Sequence, residues 1–339
     1  MLEESPPPAA GSGDIVDRDD GSGRVGHTEV GRLWERLRDA VALAVVDAER
    51  PTRLLAIALL ADGHALIEDV PGVGKTVLAK AFSRALGLRF ARVQGTPDLL
   101  PGDVTGSSVL HAGEFRFVPG PIFTNVLLVD EINRATPRTQ SGLLEAMAEG
   151  RVSVDGRPRD LPDPFFMIAT ENPVEFEGTF PLPEAQKDRF FLTLRMGYPP
   201  STAEEEVMLS QRRLTHPVTD LAPVTDLAEL LELQRAVLPV TVDEALTDYI
   251  VALVEQTRRD PRLQLGASPR ASMALYHGAQ ALAALRGRGA ATAADVRELV
   301  QPVLLKRITL RSEHLLKGLT EERVIAEILE STAAPEGAR

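Results

Sequence analysis

The chain has 339 residues, 44% of them hydrophobic, which is enough to build two packed domains. It has no cysteine, and this excludes disulfides, thiolate metal ligands and thiol nucleophiles. Its formal net charge of −12 argues against a general nucleic-acid-binding protein, because neutralising phosphates requires a basic surface.

The first 29 residues predict a disordered acidic tail. Carboxylates outnumber arginines there, and Pro, Gly and Ser fill much of the rest. The start lacks the basic residues and apolar stretch of a signal peptide. No apolar run approaches the roughly 18 residues that a membrane span needs. We therefore expect a cytoplasmic protein without a membrane span.

Ordered structure is predicted to begin near Val30, where apolar residues take up helical spacing. A second helix is predicted over 53–60, followed by an apolar strand over 65–68. After a glycine-rich loop, a further helix runs from Lys75 and stops at Gly87. Strand, glycine loop and helix are therefore consecutive.

The loop 69–76 reads Asp-Val-Pro-Gly-Val-Gly-Lys-Thr, which is typical of a cradle for the phosphates of ATP or GTP. In such loops backbone N–H groups surround the phosphates, the lysine reaches the β- and γ-phosphates, and the threonine ligates Mg²⁺. Asp69 replaces the first glycine of the pattern, and we expect its carboxylate to point away from the phosphates. A chance Gly/Lys/Thr turn is the alternative. The predicted nucleotide-binding residues are Pro71, Gly72, Val73, Gly74, Lys75, Thr76 and Val77.

Four more apolar strands and two hairpins follow along the chain. Two of the strands, over 126–129 and 165–169, lack the alternation of a half-buried sheet, as expected of parallel strands covered on both faces. With intervening helical stretches the strands predict an α/β domain with a parallel five-stranded sheet. The strands are predicted over 90–93, 126–129, 165–169 and 190–194, and the hairpins over 109–118 and 151–161. From about Asp226 onward, Leu- and Ala-rich helices predict a separate domain.

Polar residues follow two of these strands. Asp130 and Glu131 follow the third strand, at the carboxyl edge where open α/β sheets bind ligands. Asp130 is the candidate for holding Mg²⁺, and Glu131 for deprotonating the attacking water. Two acids that open a solvated loop are the alternative. Asn172 follows the next strand and is placed to bind the γ-phosphate or the water, while Arg189 and Arg270 are candidates for stabilising triphosphate charge.

Taken together, these residues resemble the AAA+ ATPases, and within them the MoxR family. The resemblance covers about residues 30 to 316. Its most specific segment is Gly-Thr-Phe-Pro-Leu-Pro-Glu-Ala-Gln-Lys-Asp-Arg-Phe, because no general phosphate argument requires it. The segments that carry the resemblance are 63–64, 69–76, 96–101, 129–135 and 178–190.

The resemblance implies an AAA+ P-loop NTPase fold with two inserted β-hairpins and a C-terminal helical lid. The implied divisions are a disordered tail (1–29), an α/β core (30–214), a linker (215–226), a lid (227–320), and a C-terminal helix with a disordered tail (321–339). Both hairpins are expected to point toward a central pore or substrate face.

The family's site residues carry over by position. The implied roles are Lys75 and Thr76 as Walker A, Asp130 and Glu131 as Walker B, Asn172 as sensor 1, Arg270 as sensor 2, and Arg189 as an arginine finger. The finger acts on a neighbour's nucleotide, which implies a homo-oligomeric ring, typically of six subunits. Asp69, Glu171 and Lys187 depart from the family pattern. We expect activity to survive all three changes, although Glu171 adds negative charge beside the phosphates.

The family implies a Mg²⁺-dependent ATPase that remodels, assembles or activates a protein complex, or inserts a cofactor. Its expected partners are an unknown protein client and a von Willebrand factor A protein. A nucleotide-gated scaffold with little turnover is one alternative, and intact Glu131 argues against it. A nucleic-acid motor is another, with hairpin arginines gripping phosphate. The net acidity weakens this alternative, and no nucleic-acid partner is expected. The arginines concerned are Arg116, Arg151, Arg157 and Arg159.

Overall fold

The computed structural model describes residues 26–111, 113–173, 178–198 and 217–335. Several predicted features fall wholly or partly outside these residues: the tail 1–29, the hairpin turn residue Ala112, the core boundary at 214, the start of the linker 215–226, and the end of 321–339.

The described helices, in chain order, are α1 His27–Ala42, α2 Glu49–Leu60, α3 Lys75–Ala85, α4 Pro101–Thr105, α5 Pro137–Glu149, α6 Glu184–Lys187, α7 Leu227–Val237, α8 Glu244–Arg259, α9 Pro269–Leu285, α10 Ala293–Leu304, α11 Ser312–Leu315 and α12 Glu321–Ser331. The strands are β1 Ala65–Glu68, β2 Phe90–Gln94, β3 Gly106–His111, β4 Glu114–Pro119, β5 Val126–Asp130, β6 Arg151–Val154, β7 Arg157–Asp160, β8 Phe166–Glu171, β9 Leu192–Leu194, β10 Leu263–Leu265 and β11 Thr309–Leu310.

Several element boundaries differ from the sequence expectation, among them the starts of α1 and β9. Helix α1 begins at His27, so it includes the last three residues of the stretch 1–29 that was predicted as tail. Strand β9 begins at Leu192 rather than at residue 190, because Phe190 N–H turns back to donate to the Lys187 carbonyl at 3.1 Å. Both differences lie at element ends, where local hydrogen bonds decide the boundary.

The predicted parallel five-stranded sheet is confirmed, with the strand order β2-β5-β8-β1-β9. Successive side chains alternate between two apolar cores. Ile67 and Ile168 enter the core that contains α1, α2, α3 and the lid helices, while Leu66 and Met167 enter the core that contains α5. Burial on both faces explains why the inner strands β1, β5 and β8 are apolar up to their carboxyl ends.

Parallel pairing brings the carboxyl ends of the strands to one edge. Glu68 of β1 pairs with Glu171 of β8, and Gln94 of β2 pairs with Asp130 of β5. Gly95, just after β2, donates its N–H to the Asp130 carbonyl at 2.6 Å. A Cβ at Gly95 would lie 2.1 Å from the next carbonyl oxygen, that of residue 131, so this approach requires glycine.

Both predicted hairpins are confirmed as the antiparallel pairs β3–β4 and β6–β7. They also contact each other. Ser108 Oγ donates to Asp155 Oδ2 at 2.5 Å, and the Arg159 guanidinium lies 3.7 Å from the centroid of the Phe117 ring. The two hairpins are therefore in direct contact with each other.

The predicted helical lid is confirmed, and it shares one continuous apolar cluster with the α/β core. Helix α12 is part of this packing, since Val324, Ile325 and Ile328 are buried and the helix contacts α8 and α10. No described helix has the length and apolar character to cross a bilayer.

His64 joins three parts of the core just before β1. Its Nδ1 accepts the Met167 N–H of β8 at 3.1 Å, so Nε2 carries the proton and donates to the Met147 carbonyl of α5 at 2.9 Å. Burial lowers the pKa of His64 from 6.5 to about 4. The neutral ring is therefore built into the folded state.

We expect His64 to make the fold sensitive to acid. The unfolded chain takes up a proton near pH 6.5 that the folded chain rejects until about pH 4, so stability is full above pH 6.5 and falls as the pH drops toward 4. Urea unfolding at several pH values measures this loss of stability. In His64→Gln, the decrease in unfolding free energy from pH 6.5 to pH 4 should be smaller by on the order of 2 kcal/mol. His111→Gln, at an exposed position on β3, should leave it unchanged; an equal slope in both variants would contradict the assignment.

Candidate active site

The glycine loop lies between β1 and α3, at the carboxyl edge of the sheet. Gly72 and Gly74 have φ values of +89° and +92°, a region that glycine enters without strain. Gly74 also caps α3, so the first N–H groups of the helix point toward the loop. This is the usual arrangement of a phosphate-binding site.

Lys75 holds the loop in its curved shape. Its ammonium donates to the carbonyl oxygens of Asp69 at 2.6 Å and Val70 at 3.2 Å. Burial is the main influence on its pKa and lowers it, while three nearby carboxylates act in the opposite direction. The ammonium is therefore held at the mouth of the loop, partly removed from water.

Asp69 faces away from the loop, as expected from the sequence. Its Oδ2 accepts the N–H groups of Met196 and Gly197, both at 2.7 Å, and its Oδ1 accepts Val70 N–H at 2.9 Å. The carboxylate thus fastens the start of the loop to the segment that follows β9. An aspartate in place of the usual glycine therefore has a structural role here.

Asp130 is the meeting point of four elements. Its Oδ1 accepts from Thr170 Oγ1 at 2.7 Å, and its Oδ2 accepts from Thr76 Oγ1 at 3.3 Å and from Arg92 NH2 at 2.7 Å. The predicted metal pair, Thr76 and Asp130, is brought together. Hydroxyl and carboxylate oxygens are donors that suit Mg²⁺.

Glu131 has a left-handed backbone, with φ at +55°. Such a conformation costs roughly 1–3 kcal/mol in a residue other than glycine. It is held by the Glu131 N–H, which donates to Thr170 Oγ1 at 2.8 Å. The Glu131 carboxylate accepts from Gln94 Nε2 and from Arg134 NH1, both at 3.1 Å. Backbone and side chain are thus both fixed beside Asp130.

Asn172 follows β8 and is buried at the same edge. The end of β8 is attached to the loop, because Asp69 N–H donates to the Glu171 carbonyl at 3.1 Å. Burial raises the pKa of Glu171, while Lys187 and Lys306 oppose that rise. Lys187 and Lys306 thus lie close enough to act on the Glu171 carboxylate, the group expected from the sequence to add negative charge beside the phosphates.

Arg189 and Arg270 lie apart from this group. Arg189 is exposed, and its NH1 donates to the Leu144 carbonyl of α5 at 3.1 Å. Arg270 is exposed at the start of α9. Within the described part of the chain, neither guanidinium is hydrogen-bonded to Asp130 or Glu131. The chain thus brings the loop and the strand-end residues together but holds both arginines at its surface.

Sequence reasoning missed the side chains that position the two acids, namely Arg92, Gln94, Thr170 and Arg134. Signals for them exist. Arg92 and Gln94 alternate on β2, which places them on one face, and Thr170 is a polar residue at the end of an otherwise apolar strand. The strand register that places them beside Asp130 could not be predicted from the sequence.

Comparison with known proteins gives the same result as the geometry. Residues 64–192 match the ATPase family associated with various cellular activities (AAA), and residues 255–328 match the AAA lid domain. The fold and the site therefore define an AAA+ ATPase, an enzyme that binds nucleotide.

Similar proteins indicate which family of AAA+ ATPases the chain belongs to. The chain is 48% identical to the uncharacterized protein YeaC of Bacillus subtilis, over 86% of this chain and 92% of that protein. It is 39% identical to Chaperone MoxR1 of Mycobacterium tuberculosis, over 89% of this chain and 82% of that protein. The crystal structure of a protein from Cytophaga hutchinsonii superposes on this chain with a TM-score of 0.86 and 32% sequence identity. The superposition covers 91% of this chain and 97% of the other. The chain belongs to the MoxR family of AAA+ ATPases, as its motifs predicted.

Thr170→Val should slow ATP hydrolysis with little change in ATP affinity. Valine keeps the shape but removes the hydroxyl that holds both Asp130 and Glu131, so we expect turnover to fall roughly tenfold or more. Thr193→Val, at another buried threonine on β9, is the matched control. Steady-state kinetics of the two variants decide: an equal loss in both, or none at Thr170, would contradict the positioning role.

Proposed function

We propose that this protein is a Mg²⁺-dependent ATPase that works as a ring of identical subunits and remodels, assembles or activates a protein complex. The observation that carries the proposal is the convergence of Lys75, Thr76, Asp130 and Glu131 at one sheet edge. A scaffold that only senses nucleotide has no need for Glu131 to be held beside a metal-binding pair.

The site residues take the following roles in this proposal. The backbone of 71–77 and Lys75 bind the triphosphate, and Thr76 and Asp130 hold Mg²⁺, which neutralises phosphate charge. Glu131 takes the proton of the attacking water, and Asn172 orients that water or the γ-phosphate. The oxygen-rich pair and the open glycine loop fit these groups.

The position of Arg189 supports a role in trans. Its side chain is exposed and lies outside the hydrogen-bonded group around Asp130, as a residue that acts on a neighbour's nucleotide would. Arg270, at the start of a lid helix, is proposed to contact the γ-phosphate in its own subunit. AAA+ proteins are typically oligomeric, and we propose a ring of six.

The hairpin pair is the proposed site of client contact. Leu110 and Phe115 pair across β3 and β4 and are exposed, as is Val118 on the opposite face of the hairpin. Exposed apolar side chains suit contact with an unfolded or partly assembled protein. A relative named as a chaperone supports this class of work. We also propose that a von Willebrand factor A protein is a partner and that the remodelling includes cofactor insertion. The proposed location is the cytoplasm, where ATP is available.

If the finger acts in trans, hydrolysis per subunit should rise with protein concentration. Arg189→Ala should lower turnover by about 10³-fold or more while leaving ATP affinity nearly unchanged, because arginine fingers act on the transition state. Glu131→Gln should abolish turnover. A Mg²⁺-dependent ATPase assay over a dilution series measures all three.

Arg259→Ala, at an exposed lid position, is the control for removing a surface charge. Equal activity per subunit at every dilution, with Arg189→Ala unaffected, would remove the trans role. ATP binding without cleavage under every condition would favour the nucleotide-gated scaffold instead.

A further inference from the structure

Asp188 connects the segment of Arg189 to the lid. It lies between α6 and Arg189, and its carboxylate accepts from Ser268 Oγ at 2.8 Å and from Arg307 Nε at 3.2 Å. Both donors belong to the helical lid. The residue before the proposed finger is therefore held by the other domain of the same subunit.

Ser268 extends this connection to Arg270. It is the N-cap of α9, and its Oγ, which donates to Asp188, also accepts the Arg270 N–H at 3.1 Å. Arg270 and Arg189 are thus joined by two hydrogen bonds through one hydroxyl and one carboxylate. Both bonds are short-range and directional, so a shift at the start of α9 is felt at Asp188.

Arg307 fastens the rest of the turn. Its buried guanidinium donates to the carbonyl oxygens of Phe191 at 2.9 Å and Val303 at 2.7 Å, and also to that of Phe190. Burial lowers the pKa of Arg307 to about 10, while Asp188 acts to raise it. A buried charge of this kind needs its partner. The turn 188–191 therefore follows the lid rather than moving independently.

We propose that Asp188 is a positioning residue that couples Arg270, proposed above to contact the subunit's own nucleotide, to Arg189, which serves the neighbour's site. This inference rests on the proposed function, since it takes Arg189 as a finger in trans. When Arg270 contacts nucleotide, α9 moves. This movement is transmitted through Ser268 and Asp188 to Arg189. Each subunit thereby presents its finger according to its own nucleotide state.

Ser268 is a better probe than Asp188 itself. Removing the Asp188 carboxylate leaves the Arg307 charge buried without its ion-pair partner, and such a variant risks failing to fold. Ser268→Gly removes the hydroxyl but keeps a residue that helix N-caps tolerate. Ser268→Thr keeps both the hydroxyl and the cap, and is the conservative control.

Mixed rings test the coupling across the subunit boundary. Glu131→Gln subunits do not hydrolyse ATP but keep Arg189, while Arg189→Ala subunits keep their own site but lack the finger. Mixed in equal amounts at saturating MgATP, they should recover activity wherever a finger reaches an intact site. The test replaces Glu131→Gln by Glu131→Gln/Ser268→Gly. Because these subunits are already inactive, any lost activity must arise through the finger that they supply.

We expect the recovered activity to fall about tenfold with Glu131→Gln/Ser268→Gly, as for a misplaced catalytic group, and to return with Glu131→Gln/Ser268→Thr. Melting temperature and ring size should be unchanged. Full recovery with the glycine variant, equal loss with the threonine variant, or loss of assembly would overturn the coupling while leaving the ATPase assignment intact. No recovery in the first mixture would instead refute the trans finger, and the coupling with it.

Discussion

The site depends on the hydrogen-bonding needs of one buried carboxylate. Asp130 ends a fully apolar strand, and its oxygens are satisfied by Thr170 from β8, Thr76 from α3 and Arg92 from β2. Unpaired, such a group would cost several kcal/mol. A one-residue slip of any neighbouring strand would turn its side chains to the other face. The hydrogen bonds to Asp130 therefore form only when the strands pair in this register.

On the proposed mechanism, one chain does not hold the whole site. The loop, the proposed metal pair and Glu131 are assembled within the chain, whereas the two arginines proposed to stabilise transition-state charge lie at its surface. Arg270 and Arg189 are joined by Ser268 and Asp188 where the core meets the lid, and the proposed coupling between neighbouring nucleotide sites runs along this connection. The proposed ring would place both ends of this connection at nucleotide sites.

The sequence predicted the fold well because its signals are local. Apolar strands without alternation, a Gly-rich loop and the Asp-Gly turn of the second hairpin each define an element within a few residues, and Lys75, Thr76, Asp130 and Glu131 lie at positions that those elements fix. Thr170, Arg92 and Gln94 were missed because their roles depend on which strands become neighbours. Asp188 and Ser268 are eighty residues apart in the sequence, and only the packing of the lid reveals their contact.

Binding of nucleotide at this edge of the sheet can be measured with the Lys75→Ala variant. Lys80, on the same helix but exposed, provides the matched Lys80→Ala control for removing one positive charge. Isothermal titration with MgATP should show affinity reduced roughly hundredfold by Lys75→Ala, since a charge-assisted phosphate contact is lost, and unchanged by Lys80→Ala. Equal affinity in the two variants would contradict this account of the site.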